Sequence, residues 1–172
     1  MNKILDDMKS MNRAVKPYVY FLWELTYESN AQNVLELGSR QLQSGRTFLS
    51  ALEEKKSGLL TAVDLADRSS RAPDFLLPYL RMIVGNTHNQ ETFNKVNDRQ
   101  YDILFIDAGH NYEDVSMDYK MYGELVKSGG YIIFHDSHNP NETCSKFWKE
   151  LPDNNKLELD YGFAGLGILR KI

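Results

Sequence analysis

Two short stretches hold the side chains best suited to chemistry. One apolar run closes as Phe105-Ile106-Asp107-Ala108-Gly109-His110, and another as Phe134-His135-Asp136. If these runs are neighbouring parallel strands, their backbones lie about 4.8 Å apart and Asp107 and Asp136 stand side by side at the rim of the sheet. Two close carboxylates repel, which raises at least one pKa unless a cation lies between them. A hard divalent cation with oxygen ligands resolves that repulsion, and an imidazole donor leaves room for Mn²⁺. His110, one turn beyond Asp107, overlooks the same spot. An isolated Asp or His is more often structural. Asp107, His110, His135 and Asp136 together point to a site.

Three earlier runs end in residues that suit a ligand as well. Val34-Leu35-Glu36-Leu37 stops at Gly38-Ser39, Leu59 to Val63 stops at Asp64, and Arg81 to Val84 stops at Gly85-Asn86-Thr87. A glycine directly after a strand allows a tight turn and close backbone approach. The helix start that follows offers free N–H groups to an anionic group such as a carboxylate. An acid at the end of a second strand can accept hydrogen bonds from both ribose hydroxyls, and Asn86-Thr87 can meet an adenine edge. Taken singly, each has a plain reading as turn, cap or loop. The G-x-G-x-x-G dinucleotide fingerprint is not met, since only Gly38 and Gly45 are present in the first loop.

These residues need a scaffold that gathers strand ends. The five runs are short, β-branched and almost continuously apolar, as strands buried on both faces of a parallel sheet are. Helical patterns fall between them: Ser44 to Glu54, Thr92 to Val96, and Tyr112 to Val126, with Gly129-Gly130 expected to end the last one. Alternating strands and helices imply right-handed βαβ units. The tail is different. Leu157 to Tyr161 and Leu166 to Leu169 are joined through Gly162 to Gly165, too short for a crossover helix, so they are expected to form an antiparallel hairpin. Residues 1–30 read as an N-terminal helical appendage to a domain at 31–172. Its stretch Val15 to Tyr27 is rich in aromatics and is expected to cap the sheet or make a dimer contact, with a lid over a ligand as the sharper alternative.

Composition bounds the function. The chain has 172 residues, 42% hydrophobic and 26% charged, which argues against wholesale disorder. Its net charge of −4 and lack of a basic tract argue against nucleic acid. The single Cys144 excludes an intramolecular disulfide and a cysteine zinc site. No apolar run approaches bilayer length and the first residues carry no secretory pattern, so no membrane partner and a cytoplasmic location are expected.

The ordered set Glu36-x-Gly38, Asp64, Phe-Ile-Asp107-x-x-His110-x-Tyr112-Glu113 and Gly129-Gly130-x4-His135-Asp136 resembles class I S-adenosylmethionine-dependent methyltransferases. The branch it is most similar to holds the macrocin O-methyltransferase and cephalosporin-hydroxylase-like proteins. The resemblance covers about residues 31–170 and is most specific from Tyr101 to Asp136. It implies an α/β, Rossmann-like three-layer sandwich whose seven-stranded, mostly parallel sheet has order 3-2-1-4-5-7-6, strand 7 antiparallel. It implies S-adenosyl-L-methionine contacts from Glu36, Gly38, Ser39, Asp64, Asn86, Thr87 and Asp107. It implies a Mg²⁺ or Mn²⁺ site at Asp107, His135 and Asp136, with His110 as general base and Asp107 beside it in catalysis.

The implied reaction is O-methylation of a hydroxyl on a small molecule or sugar, in a chain that forms a homo-oligomer through its N-terminal aromatic segment. Three departures from the family pattern stand out. The second glycine of the first loop comes late, Asn86 stands where Asp is common, and His135 stands where some relatives have an acid. The alternatives are a non-catalytic binding or assembly protein on the same fold, and an NAD-dependent enzyme, which the missing third glycine opposes.

Overall fold

The computed structural model describes residues 18–141, 143–152, 154–160 and 164–172. The apolar runs do become strands: β1 Asn33–Leu37, β2 Leu59–Asp64, β3 Leu80–Val84, β4 Tyr101–Ile106 and β5 Val126–His135, followed by β6 Lys156–Leu159 and β7 Leu166–Arg170. They form one sheet in the order β3-β2-β1-β4-β5-β7-β6. The first five pair in parallel, and β7 pairs antiparallel with both β5 and β6. This is the expected Rossmann-like topology, terminal hairpin included. Residues 161–163, part of the expected connection, lie outside the described residues.

Side chains alternate across a strand, so the continuous apolar runs feed two cores. Val34, Leu60, Ala62, Ile103, Phe105 and Ile133 face one side, where they meet α1 (Val19–Glu28) and α2 (Gln43–Glu54) through Leu22, Phe48, Leu49 and Leu52. Leu35, Leu37, Val63, Leu104, Ile106 and Phe134 face the other side. There they meet α3 (Gln90–Val96), α4 (Tyr112–Tyr122) and α5 (Cys144–Glu150) through Val96, Val115, Tyr122, Phe147 and Trp148. Among the described residues no helix is long and apolar enough to cross a membrane.

Of the expected N-terminal appendage, residues 1–17 lie outside the described residues. The remainder, Tyr18 with α1, packs into the same core as α2. The Gly165 N–H donates to the Tyr18 hydroxyl at 2.7 Å, tying the start of this helix to β7. Trp23 and Tyr27 stack with centroids 4.9 Å apart.

One expectation is corrected. The helix expected to run to Val126 stops at Tyr122, and a 3₁₀ turn, Gly123–Leu125, leads directly into β5. Gly129-Gly130 therefore sits inside β5 rather than capping a helix. Tyr101 pairs with Val126 but Ile103 pairs with Tyr131, so residues 127–130 bulge out of register. Gly129 takes a left-handed φ of 81° there, and its N–H donates to Lys171 O at 2.8 Å, fastening the end of the chain to the sheet. Helix α5 and the 3₁₀ turns Ser69–Arg71 and Asp74–Tyr79 were not expected; they are short and carry little periodicity.

Candidate active site

The connections after β1 and β4 diverge to opposite faces of the sheet, which opens a crevice at their carboxyl ends. A cleft of about 390 Å³ lies there, lined among others by Gly38, Arg40, Asp64, Asn86, Thr87, Asp107 and His110. Gly38 makes this close approach feasible. Its φ is 85°, and a Cβ at this position would sit 2.3 Å from the Asp107 carbonyl oxygen. The strand ends are locked by Gly38 N–H to Val63 O at 2.8 Å and Asp107 N–H to Leu37 O at 2.9 Å. Among the described residues, three of the six left-handed non-glycine residues, Arg40, Leu42 and Asp136, lie in the loops at these strand ends. Strain gathered there is the kind that a functional site retains. Leu42, fully buried, turns the chain into α2 at φ 56°, the place where a glycine would be unstrained.

Asp64 is held by its own loop. Its Oδ2 accepts from the Ser39 N–H at 3.1 Å and the Arg40 N–H at 2.7 Å, while Oδ1 accepts from the Ala66 N–H and the Arg68 Nε, each at 3.0 Å. Burial opposes its charge, but the donated N–H groups and the Arg68 guanidinium outweigh that and lower its pKa. Glu36 and Ser39 are buried beneath the loop and are not in the cleft wall. Glu36 accepts from Ser44 Oγ at 2.5 Å, while Oε2 has no hydrogen-bond partner. Burial pushes its carboxyl up to about 7. Glu36 thus anchors the first turn of α2.

The pairing of Ile106 with Phe134 brings Asp107 level with His135 and puts Asp136 one residue further on. The four expected residues do converge. His135 Nδ1 lies 3.2 Å from Asp107 Oδ1 and 3.1 Å from Asp136 Oδ2. It makes a well-aligned hydrogen bond to neither, so the contact is ionic, and Nε2 has no hydrogen-bond partner. Burial alone would lower the His135 pKa; the Asp107 and Asp136 carboxylates outweigh it and raise it to about 10. His110 Nδ1 lies 3.2 Å from Asp136 Oδ2, with about half of its side chain open to the cleft. Asp136 is buried, which opposes ionisation, yet His110, His135 and the Asn139 amide hold its carboxyl well below the usual carboxylate range. His110 is not the cap of α4. Asn111 is, its side chain accepting from the Asp114 N–H at 2.8 Å.

Asp107, His110 and Asp136 can each turn a ligand atom to a common point, these atoms lying within 4.8 Å of one another. Two oxygens and one nitrogen fit a divalent cation such as Mn²⁺. The expected third donor was His135; the ligand atoms that lie together are those of Asp107, His110 and Asp136, and His135 Nδ1 lies within ion-pair distance of both acids. That imidazolium opposes a dication at the same spot, because like charges repel strongly where water is scarce.

Sequence reasoning missed the far end of the cleft. His88 and Asp114 line it, and Asp118 lies behind them, fully buried. His88 follows the singled-out Asn86-Thr87 directly, and Asp114 and Asp118 are one helical turn apart on α4. That i,i+4 spacing of acids was the available signal.

Residues 35–137 match the model of a family described as a methyltransferase domain. Among solved structures, the chain is similar to the O-methyltransferase TomG of Streptomyces achromogenes, involved in tomaymycin synthesis and solved with S-adenosylmethionine. The TM-score is 0.74 at 14% identity, covering all of this chain and 91% of that one. An O-methyltransferase of Bacillus cereus in complex with S-adenosylhomocysteine gives 0.71 at 15% identity, covering 98% and 90%. MycE of the mycinamycin pathway, solved with Mg, S-adenosylhomocysteine and mycinamycin VI, gives 0.66 at 16% identity, covering 99% of this chain but 54% of its own. At these identities the likeness is one of fold. One curated relative, the uncharacterized protein R132 of Acanthamoeba polyphaga mimivirus, is 51% identical over 35 residues. That match spans 20% of this chain and 16% of that protein.

Proposed function

The chain belongs to the methyltransferase-domain family, and we propose that within it this protein is an S-adenosylmethionine-dependent O-methyltransferase acting on a hydroxyl of a small molecule or sugar. The observation that carries the reading is the convergence of Asp107, His110, His135 and Asp136 beside a cleft at the switch point of the sheet. S-adenosylmethionine supplies an electrophilic methyl group on a sulfonium sulfur. The backbone at Gly38 lets that cofactor lie against the strand ends, Asp64 is the ribose contact and Asn86-Thr87 flank the base. A ribose hydroxyl has to share the Asp64 oxygens with Arg68 and the loop N–H groups.

The residues of this chain then handle the proton. His110 donates its Nδ1–H to Asp136, which orients the ring and leaves Nε2 as acceptor toward the cleft. Nε2 takes the proton of the substrate hydroxyl as its oxygen attacks, a step typically worth 10²–10⁴-fold. His135 keeps Asp107 and Asp136 together as charged groups without repulsion. Were a divalent cation held by Asp107, His110 and Asp136, the His110 ring would serve as ligand instead of base, and the cation would lower the pKa of the hydroxyl in its place. Self-association through the N-terminal aromatic segment belongs to the same proposal; Tyr20 and Tyr27 are partly exposed on its described part, and light scattering tests it.

Calorimetry with S-adenosylhomocysteine, followed by methyl transfer to a panel of sugars and catechol-type diols, tests the function. Micromolar binding and a methylated hydroxyl are expected. Absence of binding at millimolar ligand overturns the methyltransferase reading, and binding without transfer to any hydroxyl favours a binding protein on this fold.

A further inference from the structure

The contact between His110 and Asp136 joins the loops that follow two neighbouring strands, and a third segment reaches both. Thr143 and Cys144 open α5, with Cys144 eight residues beyond Asp136. The Tyr112 N–H donates to Thr143 Oγ1 at 2.8 Å, and the Cys144 N–H donates to His110 O at 3.2 Å. The main chain on both sides of Asn111 is thereby tied to two consecutive residues. Cys144 also donates from Sγ to Asp136 O at 3.4 Å. Asp136 has a left-handed φ of 59°, a conformation that persists only where its surroundings hold it. Cys144, itself buried, thus holds the carbonyls of both partners in the 3.2 Å contact between His110 Nδ1 and Asp136 Oδ2. Thr143 stands at the N-cap of α5, where a threonine hydroxyl ordinarily accepts from its own helix. Its side chain makes no such bond. It accepts instead from the first turn of α4, one of the donors that a helix start leaves open. Helix α5 is a firm base for this bracket. The Tyr112 hydroxyl donates to Glu150 Oε2 at 2.7 Å, and the Phe147 and Trp148 rings lie 6.1 and 5.5 Å from that of Phe134.

We infer that Thr143 and Cys144 are positioning residues for the proposed base: they clip the His110 loop to the Asp136 loop and so fix the His110 ring against the Asp136 carboxylate. This inference rests on the proposed function. Neither residue lines the cleft, so neither meets a ligand there. About half of the His110 side chain is open, so packing alone does not set the direction of the ring. That direction depends on where the His110 backbone stands relative to Asp136. A misplacement of about 1 Å between reacting groups can cost about 10²-fold in rate. The bonds that prevent it add little to stability. Thr143 is exposed, so water can replace its oxygen, and a thiol is a weak donor. Loss of rate without loss of fold is the signature of such a bracket.

Thr143→Val, Cys144→Ala, their double variant and Thr143→Ser are compared with the parent. The measurements are methyl-transfer kinetics on a hydroxyl substrate, S-adenosylhomocysteine calorimetry, melting temperature, and nitrogen NMR of the isotope-labelled His110 ring with chelator present. The ring signal is assigned by its loss in His110→Ala. The double variant is expected to lose about tenfold or more in kcat, with KM and S-adenosylhomocysteine affinity within about twofold of the parent. Thr143→Ser keeps the oxygen and is expected to keep the parent's kcat. The parent ring is expected in one form, with its proton on Nδ1, and the double variant in a mixture of Nδ1–H and Nε2–H forms. A double variant that lacks either the fall in kcat or the change of ring form overturns the inference, whatever its melting temperature. If Thr143→Ser loses as much rate as Thr143→Val, the part given to the hydroxyl is overturned. If the double variant does not fold, Thr143→Val against Thr143→Ser, changed at an exposed position, makes the same test. A parent that transfers methyl to no hydroxyl overturns the proposed function. The ring spectrum, which needs no turnover, then decides alone whether the bracket fixes His110.

Discussion

Asp64 and Asp136 end neighbouring halves of the same sheet with the same carboxylate, yet they are held in opposite ways. Asp64 is saturated by backbone N–H groups and Arg68, four donors on two oxygens. Asp136 is held by side chains that can exchange protons, His110 and His135. A carboxylate satisfied by backbone donors shapes a loop and offers polar edges to a ligand. A carboxylate satisfied by imidazoles sets ring orientation and charge. Under the proposed function, the β1–β2 side serves binding and the β4–β5 side proton transfer.

The sharpest way to break that division is His110→Ala. Turnover is expected to fall 10²–10⁴-fold, with S-adenosylhomocysteine affinity and melting temperature nearly unchanged, because Asn111 and not His110 caps α4. A fall in affinity equal to the fall in turnover would erase the distinction between the two sides.

Gly38→Ala attacks the close contact between the ends of β1 and β4. A left-handed φ and a Cβ 2.3 Å from the Asp107 carbonyl together are expected to cost about 2–4 kcal/mol of stability, read by denaturant unfolding. Asp64→Ala comes next. It is expected to weaken S-adenosylhomocysteine by about 1.5–3 kcal/mol and also to lower the melting temperature, since the loop loses its brace. Unchanged affinity would make Asp64 a structural residue only.

Two buried groups sharpen the comparison through pH, with opposite partners. His135 has its pKa raised from 6.5 to about 10 by the two carboxylates. The stability it contributes is fully present below about 6.5 and is lost as pH rises through about 10. Glu36 is raised from 4.5 to about 7 by burial. The folded state then binds more protons than the unfolded one between these values, so stability falls as pH rises across that interval and is flat above it. Unfolding free energies measured from pH 4 to 10 are expected to lose the lower slope in Glu36→Gln and the upper one in His135→Gln.

The smallest expected effect is that of metal. Millimolar Mn²⁺ or Mg²⁺ raises the melting temperature by a few degrees through mass action at Asp107, His110 and Asp136. The shift disappears in Asp107→Asn. No shift with either metal, together with activity that survives chelation, would remove the cation from the mechanism and leave the His135 imidazolium as the sole positive charge between the acids.

Much of this division was legible in the chain. The rim cluster was readable because its residues are local: Asp107 and His110 share one loop, His135 and Asp136 are adjacent, and each pair closes a strongly apolar run. The loop around Asp64 was half legible. Asp64 was visible as a strand-end acid, but the donors that fill it come from Ser39 and Arg40, twenty-five and twenty-four residues away. The short helix α5 and the bulge at Gly129-Gly130 escaped because neither has a period. Each depends on contacts with β7 or with the chain end, such as Gly129 N–H to Lys171 O.

The sequence by itself determined the strand–helix alternation, the sheet class, the terminal hairpin and the residues that meet at the rim of the sheet. Continuous apolar runs can be satisfied only by burial on both faces, and short connections leave antiparallel pairing as the one closure. Only the tertiary structure decided roles within the site. Register set Asp107 level with His135 and so made His135 the counter-ion of both acids, placing His110 in the group that can converge on a cation. Burial placed Glu36 under the loop rather than in the cleft. The packing of α4 over the end of β3 brought Asp118 beneath His88, thirty residues away along the chain. Distances between elements and the loss of solvent around a charge decide such roles, and neither is written in residue type or local spacing.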